Sequence, residues 1–271
     1  MKTEITPEII DRYQRDGFVK IDSFLSAQEL EIWRTHITAA VNERNERIPG
    51  ANDGGVVGDD FYDNVFTQRV NLWRTDNQLK QLVLKENIGK MAARLEGVDG
   101  VRIWHDQALF KGPWANPTAW HLDDPYWSFY SRHSTTIWVA LDDVTAQNGA
   151  LYFLPGAHKQ ARFDNVDLGP NVGDLFKVYP EWKPLEPVCL EMKAGDASFH
   201  NGVMPHAAGP NMTPHPRRAF AMIFMPDGSI FNGIRNVMPS KQFESLKKGD
   251  VLNDDEFNPL IYPAPLSRSV K

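Results

Sequence analysis

From about residue 100 the chain no longer supports long elements. Its apolar residues fall in short runs, VRIWHDQALF, STTIWVALDD, ALYFLPG, DASFH and RAFAMIFM, each bounded by Gly, Pro, Asn or Asp. Runs of that length and spacing suit antiparallel strands. Many of the 19 prolines lie between them, where a missing backbone N–H costs no ladder hydrogen bond. The first hundred residues have a different texture. TPEIIDRYQRD places Thr6 as an N-cap and Pro7 at the first helical position, and FVKI alternates like a short strand. SAQELEIWRTHITAAVNERN opens with the capping-box pair Ser26 and Glu29, and DNQLKQLVLKENIGKMAARLEG gives one or two helices ending at Gly97. Residues 49–63, rich in Gly, Asn and Asp, read as a loop with a lid as one candidate role. The expected fold is mainly β with flanking helices: a sandwich or jelly roll framed by N-terminal helices. No linker divides the chain, so residues 1–271 are expected to form one domain. It comprises a mostly helical part (1–99), a β core (100–225) and a C-terminal helix and tail (226–271).

The overall balance narrows the function. A net charge of −6 without any Lys/Arg block argues against an electrostatic nucleic-acid binder. The longest apolar runs are too short to span a bilayer, and the N-terminus has no apolar signal segment. Cys189 is the single cysteine, which excludes an intramolecular disulfide and fits a reducing compartment. A cytoplasmic protein acting on a small molecule, without nucleic acid or membrane as partner, is the expectation.

The densest chemistry lies in WHLDDPYW, residues 120–127. On an extended strand, residues i and i+2 share a face roughly 6–7 Å apart at the backbone. His121 and Asp123 would then project together as two ligands for one metal ion. A second histidine would complete a 2-His-1-carboxylate triad, which leaves open positions on Fe(II) for oxygen chemistry. Asp124 precedes Pro125, a turn-starting pair, and reads as structural. His36 falls in a predicted helix. His105 and His133 are strand-region candidates for which an ordinary hydrogen-bonded role is the alternative, His158 reads as an exposed loop residue, and His215 sits between prolines. His200 and His206, in GDASFHNGVMPHAAGPN, both stand in apolar strand context, and spacing leaves both open as the third ligand. Arg217 and Arg218 are adjacent at the start of a strand, so at most one points inward, where its guanidinium would need an anion such as a carboxylate.

Taken in order, WHLDDPYW, TTIWVALDDVTAQNGALYFLPGAHK and GDASFHNGVMPHAAGPNMTPHPRRAF resemble the phytanoyl-CoA dioxygenase family, across most of residues 100–225. RDGFVKIDSFLSAQELE is similar to the family's N-terminal strand and helix. The resemblance implies a double-stranded β-helix, the cupin-like jelly roll, with Fe(II) and 2-oxoglutarate as cofactors. It implies metal ligands His121, Asp123 and His206, with His206 chosen because Gly209 and Asn211 follow it and Arg217 lies eleven residues on. Arg217 would pair with the cofactor's far carboxylate and Trp138 would lie against it, while Gln107 and Lys111 match the strand closing the other side. The family often has a hydroxyl two residues after the distal histidine; Ala208 stands there, so one cofactor hydrogen bond is missing. Trp120, Tyr126, Trp127 and His200 are substrate-side candidates, with His200 open between facing the substrate and standing behind the metal ligands, and Trp114 and Phe129 are further rings nearby. The implied reaction hydroxylates a small organic substrate with O2 while 2-oxoglutarate becomes succinate and CO2. Related halogenases carry a small residue in place of the carboxylate, so Asp123 implies oxygenation. The alternative is a non-catalytic, metal-binding cupin-like protein holding Zn2+ or Ni2+ on the same ligands, which leaves an inward arginine unexplained.

Overall fold

In the computed structural model the described residues are 1–44 and 64–263. The 49–63 segment read as a loop, and the tail beyond residue 263, lie outside them. The chain begins with α1 (Pro7–Asp16), β1 (Phe18–Ile21) and α2 (Ala27–Glu43). The Ser26–Glu29 capping box forms at the start of α2. Thr6 does sit at the N-cap of α1, but its side chain makes no cap hydrogen bond there. After β2 (Thr67–Val70), the sequence between Asp76 and Gly97 folds as two helices, α3 (Asn77–Val83) and α4 (Glu86–Glu96).

The β region follows: β3 (Val101–Lys111), β4 (Thr118–His121), β5 (Thr135–Ala140) and β6 (Leu151–Phe153). A short helix α5 (Leu175–Val178) precedes β7 (Val188–Leu190), β8 (Ala197–Asn201), β9 (His206–Ala208) and the long β10 (Arg217–Pro226). The end of the chain differs from expectation. SKQFESLKKGD yields a helix α6 of six residues, Ser240–Ser245, and Leu260–Tyr262 then returns as β11 into the sheet.

Among the described residues the strands form two antiparallel sheets, the jelly roll read from the sequence. The larger runs β1-β8-β5-β10-β3-β11, with β2 also on β3, and the smaller runs β4-β9-β6-β7. The free edge of β3 is shared: β2 covers residues 107–110 and β11 covers residues 101–102. β10 shows how one strand serves two cores. Ala219, Ala221 and Ile223 join the apolar cluster between the sheets, with Trp138, Leu151 and Phe153. Phe220, Met222 and Phe224 point the other way, into the cluster shared with the helices. Trp33 of α2 meets Phe220 edge to face at 5.9 Å, both rings nearly inaccessible to solvent. Small residues on the site side leave room for a cavity, and large ones on the helix side fix the sheet in place.

That division predicts the cost of emptying the helix side. Phe220→Ala should lower unfolding free energy by about 3–5 kcal/mol in urea denaturation, the range for a buried aromatic whose cavity cannot collapse. A loss below about 1 kcal/mol would mean that this interface does not carry the helices.

Candidate active site

The cross-strand register assembles the site. β4 pairs with β9 so that His121 lies opposite His206, and their ring centroids are 4.2 Å apart. Each imidazole uses Nδ1 on the carbonyl two residues back, His121 on Ala119 at 2.8 Å and His206 on Met204 at 2.9 Å. That leaves both Nε2 atoms pointing at the same space as metal-binding lone pairs. Asp123 completes the group: one ligand atom from each of His121, Asp123 and His206 lies within 4.8 Å of the others.

Asp123 reaches this position by a route the strand argument did not anticipate. β4 ends at His121, and Asp123 has helical backbone angles, φ −79° and ψ −49°, at the start of a single helical turn over Asp124–Tyr126. The turn is fastened by the Gly202 carbonyl, which accepts from the Asp123 N–H at 3.1 Å and the Asp124 N–H at 2.8 Å. A Cβ on Gly202 would stand 2.2 Å from Ser134 Oγ and 2.8 Å from the Trp127 ring, so no larger residue fits there without movement. Burial alone would raise the Asp123 pKa, but the surrounding imidazoles outweigh it and hold the carboxylate well below its ordinary range. Burial and the neighbouring His121 push His206 down to about 3, so it stays a neutral imidazole, the form that binds metal.

These ligands open onto a cavity of about 490 Å3. Arg217 lies in its wall, 3% exposed, and among the described residues its hydrogen bonds go to the carbonyls of Gly149 (3.2 Å), Leu109 (3.4 Å) and Asn148 (3.5 Å). Burial pushes its pKa down to about 10, still a cation at neutral pH. Trp138 lies under the guanidinium, 5.1 Å from its ring centroid. Gly149 has φ +100°, and a Cβ there would meet Lys111 Cδ at 2.7 Å and Arg217 Nη2 at 3.1 Å. Arg218 takes the opposite face, where it grips Asp142 through its backbone N–H (2.8 Å), Nε (2.9 Å) and Nη2 (2.7 Å).

The structure also sorts the remaining candidates. Gln107, Trp138, Tyr126, Trp127, His200 and Ala208 line the cavity. Trp120 does not. It adjoins His121 on a strand, so its ring takes the other face and packs with Phe176 in a separate cluster. Lys111 is displaced too. It is fully buried at the end of β3, where the carbonyls of Asn116 (2.5 Å) and Val65 (3.2 Å) hold its ammonium, and burial beside Arg217 pushes its pKa to about 7. His158, read as exposed, is half-buried against Gly17, and burial pushes its pKa to about 4. Phe129 belongs to the core and Trp114 is exposed. His105, Gln68, Thr136 and Asn236 line the cavity without having been singled out from the sequence. Strand parity with Gln107 and Trp138 was a usable signal for His105 and Thr136.

Asp124 is turned away, accepting from Ser134 Oγ at 2.7 Å and Ser131 N–H at 3.1 Å, with burial raising its pKa to about 7. Behind it, Glu96 at the end of α4 accepts from the Tyr13 hydroxyl and from Asn201 Nδ2, tying α1 and α4 to β8.

The phytanoyl-CoA dioxygenase profile matches residues 13–219. The chain belongs to the phytanoyl-CoA dioxygenase family. Membership carries the family's reaction class, an iron- and 2-oxoglutarate-dependent dioxygenase. A methylphosphonate hydroxylase of Gimesia maris is 28% identical over 229 residues, 83% of this chain and 82% of that protein. A probable alpha-ketoglutarate-dependent hypophosphite dioxygenase of Stutzerimonas stutzeri is 28% identical over 225 residues, 76% of this chain and 73% of that one. Among solved structures, the non-heme alpha ketoglutarate dependent carbocyclase SnoK from nogalamycin biosynthesis superposes with TM-score 0.80 at 26% identity. The match covers 95% of this chain and 96% of that one. Among the described residues no helix is long and apolar enough to cross a membrane.

Burial of Glu96 has a thermodynamic consequence. Desolvation pushes its pKa up to about 8 from an ordinary 4.5, so between these values the folded chain holds a proton that the unfolded chain has released. Stability therefore falls as pH rises through that window. Glu96→Gln should flatten the fall by up to about 1.4 kcal/mol per pH unit, read from urea midpoints between pH 4.5 and 8. Parallel curves for wild type and variant would contradict the assignment.

Proposed function

We propose that this protein hydroxylates a small organic substrate, using iron held by His121, Asp123 and His206 and 2-oxoglutarate anchored by Arg217. One observation carries the reading. Two imidazoles and one carboxylate converge on a cavity whose wall also carries a buried guanidinium with only carbonyl partners among the described residues. The donor set fits iron, and the guanidinium fork fits a carboxylate. Iron with 2-oxoglutarate and O2 supplies the oxidising chemistry, in which 2-oxoglutarate becomes succinate and CO2 and one oxygen atom enters the substrate.

The chain's own residues do the rest. The Nδ1 hydrogen bonds of His121 and His206 fix each ring's tautomer and aim. Arg217 would hold the far carboxylate of 2-oxoglutarate, and Trp138, beneath the guanidinium, would offer it a flat apolar surface. Tyr126, Trp127, Leu168 and Val237 keep the substrate side apolar, while His105, Gln107 and Asn236 offer hydrogen bonds to orient an occupant. The two relatives named above are a methylphosphonate hydroxylase and a probable hypophosphite dioxygenase. Among the described residues the cavity wall carries one guanidinium, already committed to 2-oxoglutarate. We therefore favour an uncharged substrate with an alkyl or ring body.

Three measurements test this. Fe(II) and 2-oxoglutarate without oxygen should give a visible charge-transfer band, absent in Asp123→Ala; a wild type without the band would defeat the assignment. Arg217→Met should raise the 2-oxoglutarate KM roughly ten- to a hundredfold, as expected for loss of about 1.5–3 kcal/mol of charged hydrogen bonding, with the band still attainable at saturation. In a substrate panel scored by succinate release, methylphosphonate and hypophosphite should not exceed the substrate-free rate, and stimulation by either would overturn the preference for an uncharged substrate.

A further inference from the structure

The two oxygens of Asp123 face different neighbours. Oδ1 lies 3.5 Å from His121 Nε2 and 3.9 Å from His206 Nε2, on the side where the three ligands converge. Oδ2 is turned toward the larger sheet. It accepts from Thr136 Oγ1 at 3.1 Å, and His200 Nε2 approaches it to 3.6 Å. Thr136 and His200 are register partners on β5 and β8, so one rung of the ladder presents both groups at one height on the cavity face. They are 2% and 1% exposed. Neither ring nitrogen of His200 has a hydrogen-bond partner among the described residues, and Asp123 Oδ2 is a carboxylate acceptor beside one of them. A buried N–H is costly to leave unpaired, so this arrangement draws the two groups together.

From this geometry we infer that Thr136 and His200 are positioning residues, a two-point clamp that holds Asp123 Oδ2 back so that the carboxylate offers Oδ1 alone to the metal. This rests on the reading that His121, Asp123 and His206 hold iron, and it deepens it. A carboxylate free to pivot can chelate with both oxygens, and a second oxygen would occupy a position that the open face of a three-ligand site keeps for 2-oxoglutarate and O2. Strand β4 ends before Asp123, so its ladder does not fix the side chain. The clamp from the opposite sheet does. It also gives His200 a task separate from contact with substrate.

Co(II) in place of iron reads the site without turnover, through its affinity and the intensity of its visible bands, which respond to coordination number. Thr136→Val removes the hydroxyl at nearly constant shape, His200→Phe removes the ring nitrogens, and Thr136→Ser keeps a hydroxyl. The first two should change Co(II) affinity roughly tenfold and weaken its visible bands, as a freed second oxygen raises the coordination number; the Ser variant should match wild type, and all three should melt near the wild-type temperature. Folded Val and Phe variants with wild-type affinity and spectrum would overturn the clamp, as would a Ser variant as impaired as Val. Asp123→Ala separates the two levels. If it binds Co(II) as tightly as wild type, the metal-site reading falls independently of the Thr136 results.

Discussion

The pairing of β4 with β9 governs where everything else in the site must stand. In an antiparallel ladder, directly opposed residues are about 4.5–5.5 Å apart, close enough for two imidazoles to share one ion. His121 and His206 occupy such a pair, 85 positions apart in sequence order and neighbours in space. A one-residue slip of either strand would send its histidine to the opposite face, which on β4 is the side where Trp120 already packs with Phe176. The larger sheet then has a defined job. It brings Thr136, Trp138, His200, Gln107 and Arg217 to bear on a point that the smaller sheet has already chosen.

Electrostatics divides this space into unlike ends. At one end a cation sits among carbonyls, with an indole beneath it and a second buried ammonium behind. Elsewhere in the lining a carboxylate stands among imidazoles, with aromatic, aliphatic and further uncharged polar side chains around them. In such surroundings each charge is felt strongly, because little water screens it. Under the proposed function, that field would orient a dicarboxylate with one end toward Arg217.

How much of this was legible in the sequence depended on the length of the element concerned. β3, β5 and β10 are long enough for their apolar patterns to be recognised, and β10's alternation of Ala with Phe and Met reports two different neighbours. β2, β7 and β11 are three or four residues of mixed character that become strands only because a longer partner supplies the ladder. The same limit governed the site. Nothing in GDASFHNGVMPHAAGPN says which histidine will oppose His121, since that depends on strand register, and only the family resemblance chose between them. Strand parity brought His121 and Asp123 together on paper for a reason that does not operate, because the strand stops between them and a turn fastened by Gly202 does the work. Parity did separate Arg217 from Arg218 and could have placed His105 beside Gln107. Trp120 and Lys111 were harder: one needed the strand's facing to be followed through, the other the location of carbonyls contributed by Val65 and Asn116.

The shared edge of β3 has a consequence for how the molecule is made. Its half nearer the cavity, beside Gln107, is covered by residues 67–70, which leave the ribosome before β3 itself. The other half waits for residues 260–262, the last strand among the described residues. A nascent chain can therefore cover β3 beside the cavity before the outer rim of the sheet is sealed. The stretch of β3 that stays open until then is its end away from Gln107, so any pairing with a stranger there would begin outside the residues that line the cavity.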